Sequence, residues 1–544
     1  MLLPDDPKRR AALYRNLIRQ CESSRENRRA QYQRLRLWYL TGAETGQRAR
    51  YNKLDDFVNQ ASSYIYSAES LRFGVVLPPK YGDQWIEEEA VAGDEIHRLW
   101  HDGDAGITAG VAAKWAWVYP TVIAKVLTDD NEPAFQIIPD PADVGVLCES
   151  VHEWDRQEAI CHWYSLDLAS FTRLVANHPD AAQLIALAQE HAAPGRGQAA
   201  TDVLPSAIQN IVIAQSSPNM IGAVRNLVAP IAMPEETEPV VDLAELWVWD
   251  DEIEDFRVAT NFLPTERILW NPRNPLLPGK HPFHPLCLDP TPGYLWGVPA
   301  LENLLLLQQW RSDRMDDVDF LLKKQLRPPL FGSGISGIME EKMKALRHPD
   351  GIFTNPMPGG DVKPIVTPMP PDAFAEIEKI DQMFDRAAGL PSAMRGEGPT
   401  NVRSGEQAVA HAMLGAGPTL AKAMILEDWI ESVATALLRL RLRTCTTALR
   451  KPDGTEFLLS QIPDEFTVRV SAHSASPIYQ QQTFQKGLLL KREGAIDNES
   501  LIRMAGVPLE DILRAKSREL AKAQARIVEK RLQIAEKKAE KTAR

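Results

Sequence analysis

The chain has 544 residues, with 61 Lys and Arg against 73 Asp and Glu for a net charge of -12, 44% hydrophobic side chains and 25% charged ones. That length exceeds a single hydrophobic core and predicts roughly three or four structural units at about 150 residues each, and the composition is that of a globular protein, which excludes wholesale disorder. The negative balance argues against tight, static nucleic-acid binding over the whole surface, yet it allows an acidic lumen through which a polyanion slides.

The cysteines, Cys21, Cys148, Cys161, Cys287 and Cys445, are odd in number and widely spread, a pattern that fits reduced thiols in a cytoplasmic protein better than a disulfide framework. No apolar run reaches membrane-spanning length, and the opening MLLPDDPKRR has its charges after a very short apolar start, unlike a secretory signal. The expectation is a soluble, intracellular protein without contact to membrane.

Residues 7–40 read as a basic amphipathic helix, with Arg9, Arg10, Arg15, Arg19, Arg28, Arg29, Arg34 and Arg36 opposite Leu13, Leu17, Leu35, Trp38 and Tyr39. Its charges are expected to form a solvated face, with contact to a partner or to phosphate as the sharper alternative. Residues 111–164 alternate β-prone segments such as TVIAKVL and AFQIIP with turn residues, and a second β patch spans 243–263. Within that patch Asp250, Asp251 and Glu252 join two strand-like runs, where adjacent acids predict a solvated hairpin tip rather than an acid–base pair. Between the patches, 165–230 reads as short helices with Ala- and Gly-rich joints.

A long helix is predicted from Leu301 to Leu326, with Asp313, Asp316, Asp317 and Asp319 sharing its polar face with Arg311 and Arg314. It ends at Pro328-Pro329, because proline lacks the amide donor and clashes with the preceding turn, so 327–370 is expected to be a small separate unit. A second helix opens at Pro371-Asp372 with Phe374, Ile377, Ile380 and Phe384 on one stripe and Glu376, Glu378, Asp381 and Asp385 mostly on the other. It stops at Gly389. Residues 390–405 (LPSAMRGEGPTNVRSG) form a loop with Arg395 and Arg403 as positive points. A third helix follows, bent at Gly415, Gly417 and Pro418 and resuming through Leu420, Met424, Ile425, Trp429, Ile430, Val433 and Leu437. In the tail, 511–544, Leu513, Leu520, Ile527 and Ile534 stand seven residues apart among Lys and Arg, which predicts a terminal helix that associates with copies of itself.

Two constellations invite chemistry. Gly332, Gly334 and Gly337 (GSGISG) match the spacing of a dinucleotide fingerprint, but only Leu330 and Phe331 separate them from the prolines, so neither a buried strand nor a βαβ unit precedes them. His281, His284 and Cys287 have ligand-like spacing for zinc, without a nearby fourth ligand and with Pro282 and Pro285 stretching the segment. Cys148, His152, Cys161 and His162 are read as core and strand residues. No phosphate-binding lysine loop, HExxH, GxSxG or CxxC is present, so no catalytic residue, cofactor or metal is expected.

Four segments carry a family resemblance: the first helix running into LWYLTG and RYNKLDDFVNQASSYIYSAESLRF; ILWNPRNPLLPGKHPFHPLCL through GYLWGVPALENLLLLQQWRSD; FDRAAGLPSAMRGEGPTNVRSGEQA; and SPIYQQQTFQKGLLLKREGAIDNESLIRMAGVP. In their order they resemble the portal proteins of tailed bacteriophages, the head-to-tail connectors, over most of the chain; the stretch 165–230 has no counterpart in the pattern. The resemblance implies an α+β multidomain ring subunit: a β-containing wing at 1–299, a stem helix at 300–326, a small clip at 327–370, a second stem helix at 371–389, a tunnel loop at 390–405, a kinked long helix and wing return at 406–470, and a helical crown at 471–544. It further implies a cyclic homo-oligomer of about 12 copies at one capsid vertex of the virion. Implied partners are double-stranded DNA passing without sequence readout, the large terminase ATPase, major capsid or scaffold proteins, and head-completion or tail adaptor proteins. Channel contacts would come from Arg395, Arg403, Lys323 and Lys324, and a repelling wall from the eight stem acids named above. For each of these four basic side chains an intersubunit or intrahelical ion pair is the competing expectation. Two other classes stay open: a nucleotide-dependent DNA-processing enzyme using GSGISG, and a structural adaptor or scaffold that tethers partners by its basic terminal helices.

Overall fold

The computed structural model describes residues 3–43, 51–192 except 68–70, 72, 82–84, 102–103 and 130–131, then 239–326, 330–333, 361–364, 368, 370–389, 417–445, 448–450, 455–470 and 487–494. The protein is mixed α+β with several sheets and more than one packing unit.

A five-stranded antiparallel sheet has the order β4-β5-β6-β7-β8, built from Val144–Val146, Ala159–Asp167, Val240–Asp250, Asp255–Phe262 and Arg267–Trp270. Strand periodicity divides it cleanly. Cys161 stands opposite Leu246, and Leu246 opposite Ala259, so Ala159, Cys161, Trp163, Ala244, Leu246, Val248 and Ala259 share one face. That face is covered by the first half of helix α1 (Pro7–Thr41) through Tyr14, Leu17, Ile18 and Cys21. Asp6 caps the helix by accepting from the Lys8 amide at 3.1 Å, and Gly42 ends it with φ 72°, its amide on the Trp38 carbonyl.

The opposite face meets two layers. Near β4 it packs on a three-stranded sheet, β3-β2-β9 (Glu132–Ile137, Val122–Asp129, Phe283–Leu286), through Ile123, Ile160, Trp247, Phe256, Phe283 and Trp296. Farther along it carries α5 (Leu168–Val175) and α6 (Ala181–His191), whose Phe171, Val175 and Leu184 rest on Val241, Leu243 and Phe262. Of the short helices expected at 165–230, two are present between Leu168 and His191, 165–167 belongs to β5, and 193–230 lies outside the described residues.

The far side of the three-stranded sheet packs on a helical body: α2 (Lys53–Ile65), α3 (Ile86–His101), α4 (Ala105–Val118), the second half of α1, and α9 (Gly417–Thr444). Here the strand expectation fails for 111–118. These residues continue α4, whose Ala109, Ala112, Ala113 and Ala116 are wholly or almost wholly buried, because small helix-forming side chains let neighbouring helices approach closely. A two-stranded ribbon of β1 (Phe73–Val76) and β14 (Thr467–Val470) rests on α9, where the outward Val468 and Val470 amides are taken by Thr435 Oγ1 and Glu431 Oε1. Strands β12 (Ala448–Arg450) and β13 (Glu456–Leu458) form a second ribbon.

Three further expectations need correction. Asp250, expected in a solvated tip, is 1% exposed, with Oδ2 accepting from Arg257 Nε at 2.6 Å, because the β6–β7 hairpin folds back on the segment after β8. Arg28, expected on a solvated helix face, is buried with its guanidinium 3.5 Å from the Trp296 ring centre and one nitrogen 2.6 Å from the Val144 carbonyl. Cys148 and His152, expected in core and strand, are exposed loop residues, and His152 accepts the Gly293 amide. Among the described residues no helix is long and apolar enough to cross a membrane.

Candidate functional site

The two helices expected on either side of 327–370 are α7 (Glu302–Leu326) and α8 (Ala373–Ala388); most of the small unit expected between them lies outside the described residues. Gly389, at φ 68°, ends α8 as a left-handed cap. The helices run antiparallel: Arg311 Nε lies 2.8 Å from Asp381 Oδ1, and three residues further along α7 Arg314 Nε lies 3.2 Å from Glu376 Oε1. Between them, in chain order, β10 (Leu330–Ser333) and β11 (Asp361–Pro364) pair as an antiparallel hairpin. Gly332 thus stands within a strand opposite Val362, not at a strand-to-helix turn, which removes the context a dinucleotide fingerprint needs. Gly334 and Gly337 lie outside the described residues.

The first turns of α7 enter the main core through Leu301, Leu304 and Leu305. Its other end leaves it: Phe320 is 56% exposed and Leu326 81%. On α8, Ile377, Ile380 and Phe384 are buried as the stripe predicts, whereas Phe374 is 55% exposed. Leu306 (80% exposed) and Trp310 (45%) sit one turn apart on α7, both open to solvent. Near the far end a groove of about 700 Å³ opens between Val318, Phe320 and Leu321 on α7 and Ala373 and Ala375 on α8.

The predicted polar face divides into two populations. Asp381 and Asp385 point into the chain: Lys53 Nζ lies 3.2 Å from Asp381 Oδ1 and 2.8 Å from Asp385 Oδ1. Arg311, expected beside the exposed acids, is instead buried against Asp381, its guanidinium 4.7 Å from the Tyr51 ring centre. The Tyr51 hydroxyl donates to Asp56, and that bond, with some burial, pushes the phenol up to about 12. Arg314 holds Asp317 at 3.0 Å as well as Glu376. Asp313 accepts from Gln309 at 2.8 Å, and Asp313, Asp316 and Glu378 are exposed. Across both helices nine acidic and six basic side chains give a net of -3.

Lys323 pairs with Asp319 at 2.6 Å, one turn back, and Lys324 lies 4.3 Å from the Phe320 ring centre. For Lys323 the intrahelical pair is thus the arrangement present. Arg395 and Arg403 lie outside the described residues, as does everything of the third helix before Gly417 and its expected bend at Gly415.

The zinc-like spacing does not converge. His281 Nε2 donates to the Trp154 carbonyl at 3.0 Å and Nδ1 accepts the Phe283 amide, a satisfied core histidine. His284 meets Ser432 Oγ at 2.8 Å, and the Cys287 sulfur lies 3.9 Å from the Trp296 carbonyl. Among the described residues no group of His, Cys, Asp and Glu could hold a metal ion.

Sequence reading did not single out Lys53, the residue that neutralises two acids of α8. The two sites are 328 residues apart and no local pattern links them.

No protein family and no curated protein matches the chain. Among solved structures, a chain from the virion of a native gene transfer agent particle is similar over 84% of this chain and 89% of its own length, with 9% identity and a TM-score of 0.38.

Proposed function

We propose that the chain is a portal-type subunit: identical copies form a ring in which α7 and α8 line a central channel for double-stranded DNA. The reading rests on the four resembling sequence segments and, above all, on one observation. The α7–α8 pair extends beyond a body that already has its own filled core, and it keeps Leu306, Trp310, Phe320, Leu326 and Phe374 in solvent. Exposed apolar side chains along a projecting helix pair suit burial against the same pair of a neighbour, and cyclic repetition turns each into a closed seam.

In that arrangement Asp313, Asp316, Asp317 and Glu378 repeat as rings of negative charge that keep phosphates off the wall, and Arg395 and Arg403 repeat as cationic rings that give weak, salt-sensitive contacts without reading bases. The hairpin region between the helices would dock the large terminase. Capsid or scaffold proteins and head-completion or tail adaptor proteins would meet the remaining outer surfaces, and the subunit would sit at the portal vertex of a virion. It would have no chemistry of its own.

Mass photometry of the purified full chain tests this. A closed ring of about a dozen 60.8 kDa chains gives particles near roughly 730 kDa. A stable monomer under every buffer and concentration tried would overturn it.

A further inference from the structure

Where α2 begins, one residue touches both projecting helices. The Lys53 ammonium seats between Asp381 and Asp385, one turn apart on α8, also reaches the Asp381 carbonyl at 3.1 Å, and lies 5.0 Å from the Phe384 ring centre. Its backbone amide donates to Gln308 Oε1 of α7 at 3.2 Å, while Gln308 Nε2 donates back to the Tyr51 carbonyl at 3.2 Å. From Lys53 onward α2 is a stiff, well-anchored rod: Asn52 caps it, and Leu54, Phe57, Val58, Ala61 and Ile65 are buried in the helical body.

The attachment of α8 is narrower. Ile377 and Ile380 lie outside the main core cluster, and Phe384 alone of its buried side chains belongs to that cluster, edge-on to Phe57 at 6.5 Å. Among the described residues, and apart from its packing on α7, α8 meets the body through Phe384, the partly buried Ala388 and the charges around Lys53, with Arg311 of α7 closing the group on Asp381.

We infer that Lys53 is a latch: seated, it makes α8 and α2 move as one piece, and withdrawn, it lets α8 shift on α7 while α7 stays rooted. Its side chain is 16% exposed and those of Asp381 and Asp385 are 31% and 21% exposed. The pairs are shielded enough to hold, and the lysine stem is long enough to swing the ammonium into water without moving α2. A push on the far end of α8 is then passed along α2 into the body when the latch is closed and is absorbed at the α7–α8 contact when it is open. The latch is a property of one chain and does not rest on the ring.

Hydrogen exchange of the full chain, read by mass spectrometry, tests it. Lys53→Met is expected to speed exchange of the amides in 377–388 by about tenfold or more, while β5 and β6 stay within about twofold of wild type. Lys53→Arg, which keeps the charge, is expected to stay within about threefold in the same amides. Asp385→Asn is the milder probe should Lys53→Met fail to fold, and it is expected to speed 377–388 by roughly threefold or more. Wild-type rates at 377–388 after Lys53→Met, or after Asp385→Asn where the lysine variant does not fold, would overturn the latch. Equal acceleration of β5 and β6 would overturn it too, since that marks general loosening. Mass photometry of the same samples reports ring formation separately, so failure of the latch and failure of the ring reading cannot be confused.

Discussion

Removing the Lys125 ammonium should loosen the two-sheet core. Lys125 rises from β2 between the sheets, its Nζ 2.9 Å from both oxygens of Glu245 on β6, with the two side chains 12% and 15% exposed. The indole of Trp247 donates to the same carboxylate, and His162 Nδ1 lies 3.5 Å from the ammonium. Lys125→Met fills the space with a chain of similar length and leaves a carboxylate shielded from water with one neutral donor, which costs about 3–5 kcal/mol. Glu245→Gln strands the ammonium instead and costs a similar amount. The double variant should cost little more than either single one, so the coupling energy comes to roughly 2–4 kcal/mol. Because the chain contains several packing units, the assay is exchange of the β5 and β6 amides under conditions where opening is the slow equilibrium, which reads local free energy without assuming one global transition. A coupling below about 0.5 kcal/mol would show that the pair is solvated, contrary to its burial.

The same core makes a pH prediction. Burial, reinforced by Lys125, pushes the His162 imidazole down to about 3, and burial likewise takes His284, on β9 facing α9, to about 3. Both are neutral in the fold, and the unfolded chain takes up protons first, so stability is full above about pH 6.5 and falls between 6.5 and 3; a melting temperature constant across that window would contradict this. Gly145→Ala would place a Cβ 2.7 Å from the Cys21 carbonyl and 2.9 Å from the Trp163 ring, which should cost about 1–3 kcal/mol in chemical denaturation, and no loss would mean α1 sits farther from β4. Leu306→Asp with Trp310→Asp should shift mass-photometry peaks from rings to monomers while changing local stability by no more than about 0.5 kcal/mol, since both side chains are exposed in the single chain; intact rings would move the neighbour contact elsewhere. Arg395→Glu with Arg403→Glu should lower the DNA content of particles without disturbing the ring, and normal content would remove the tunnel-loop assignment.

Helices with strong punctuation were legible from the sequence. α1 has Asp6, Pro7 and Gly42 at its ends, α7 stops before a proline pair, and α8 stops at Gly389. Each signal is local, so a linear reading finds it. The β6–β7 hairpin was legible for the same reason, its alternation surviving on both strands. What failed was tertiary. Residues 111–118 carry β-prone Val and Trp, yet their alanines are wanted for close helix packing; Asp250 and Arg28 read as surface charges because their partners, Arg257 and the Trp296 ring, become neighbours only in the folded chain. The candidate site shows the same division. The positions of the acids on α7 and α8 followed from helical spacing, while the inward turn of Asp381 and Asp385 depends on Lys53, which spacing could not supply.

Electron microscopy of the purified full chain, averaged to about nanometre detail, bears most directly on the proposed channel. End-on views should show a closed ring around a central hole, with the α7 and α8 rods at its rim. Solid particles without an opening, or that helix pair turned to the outer edge, would contradict it.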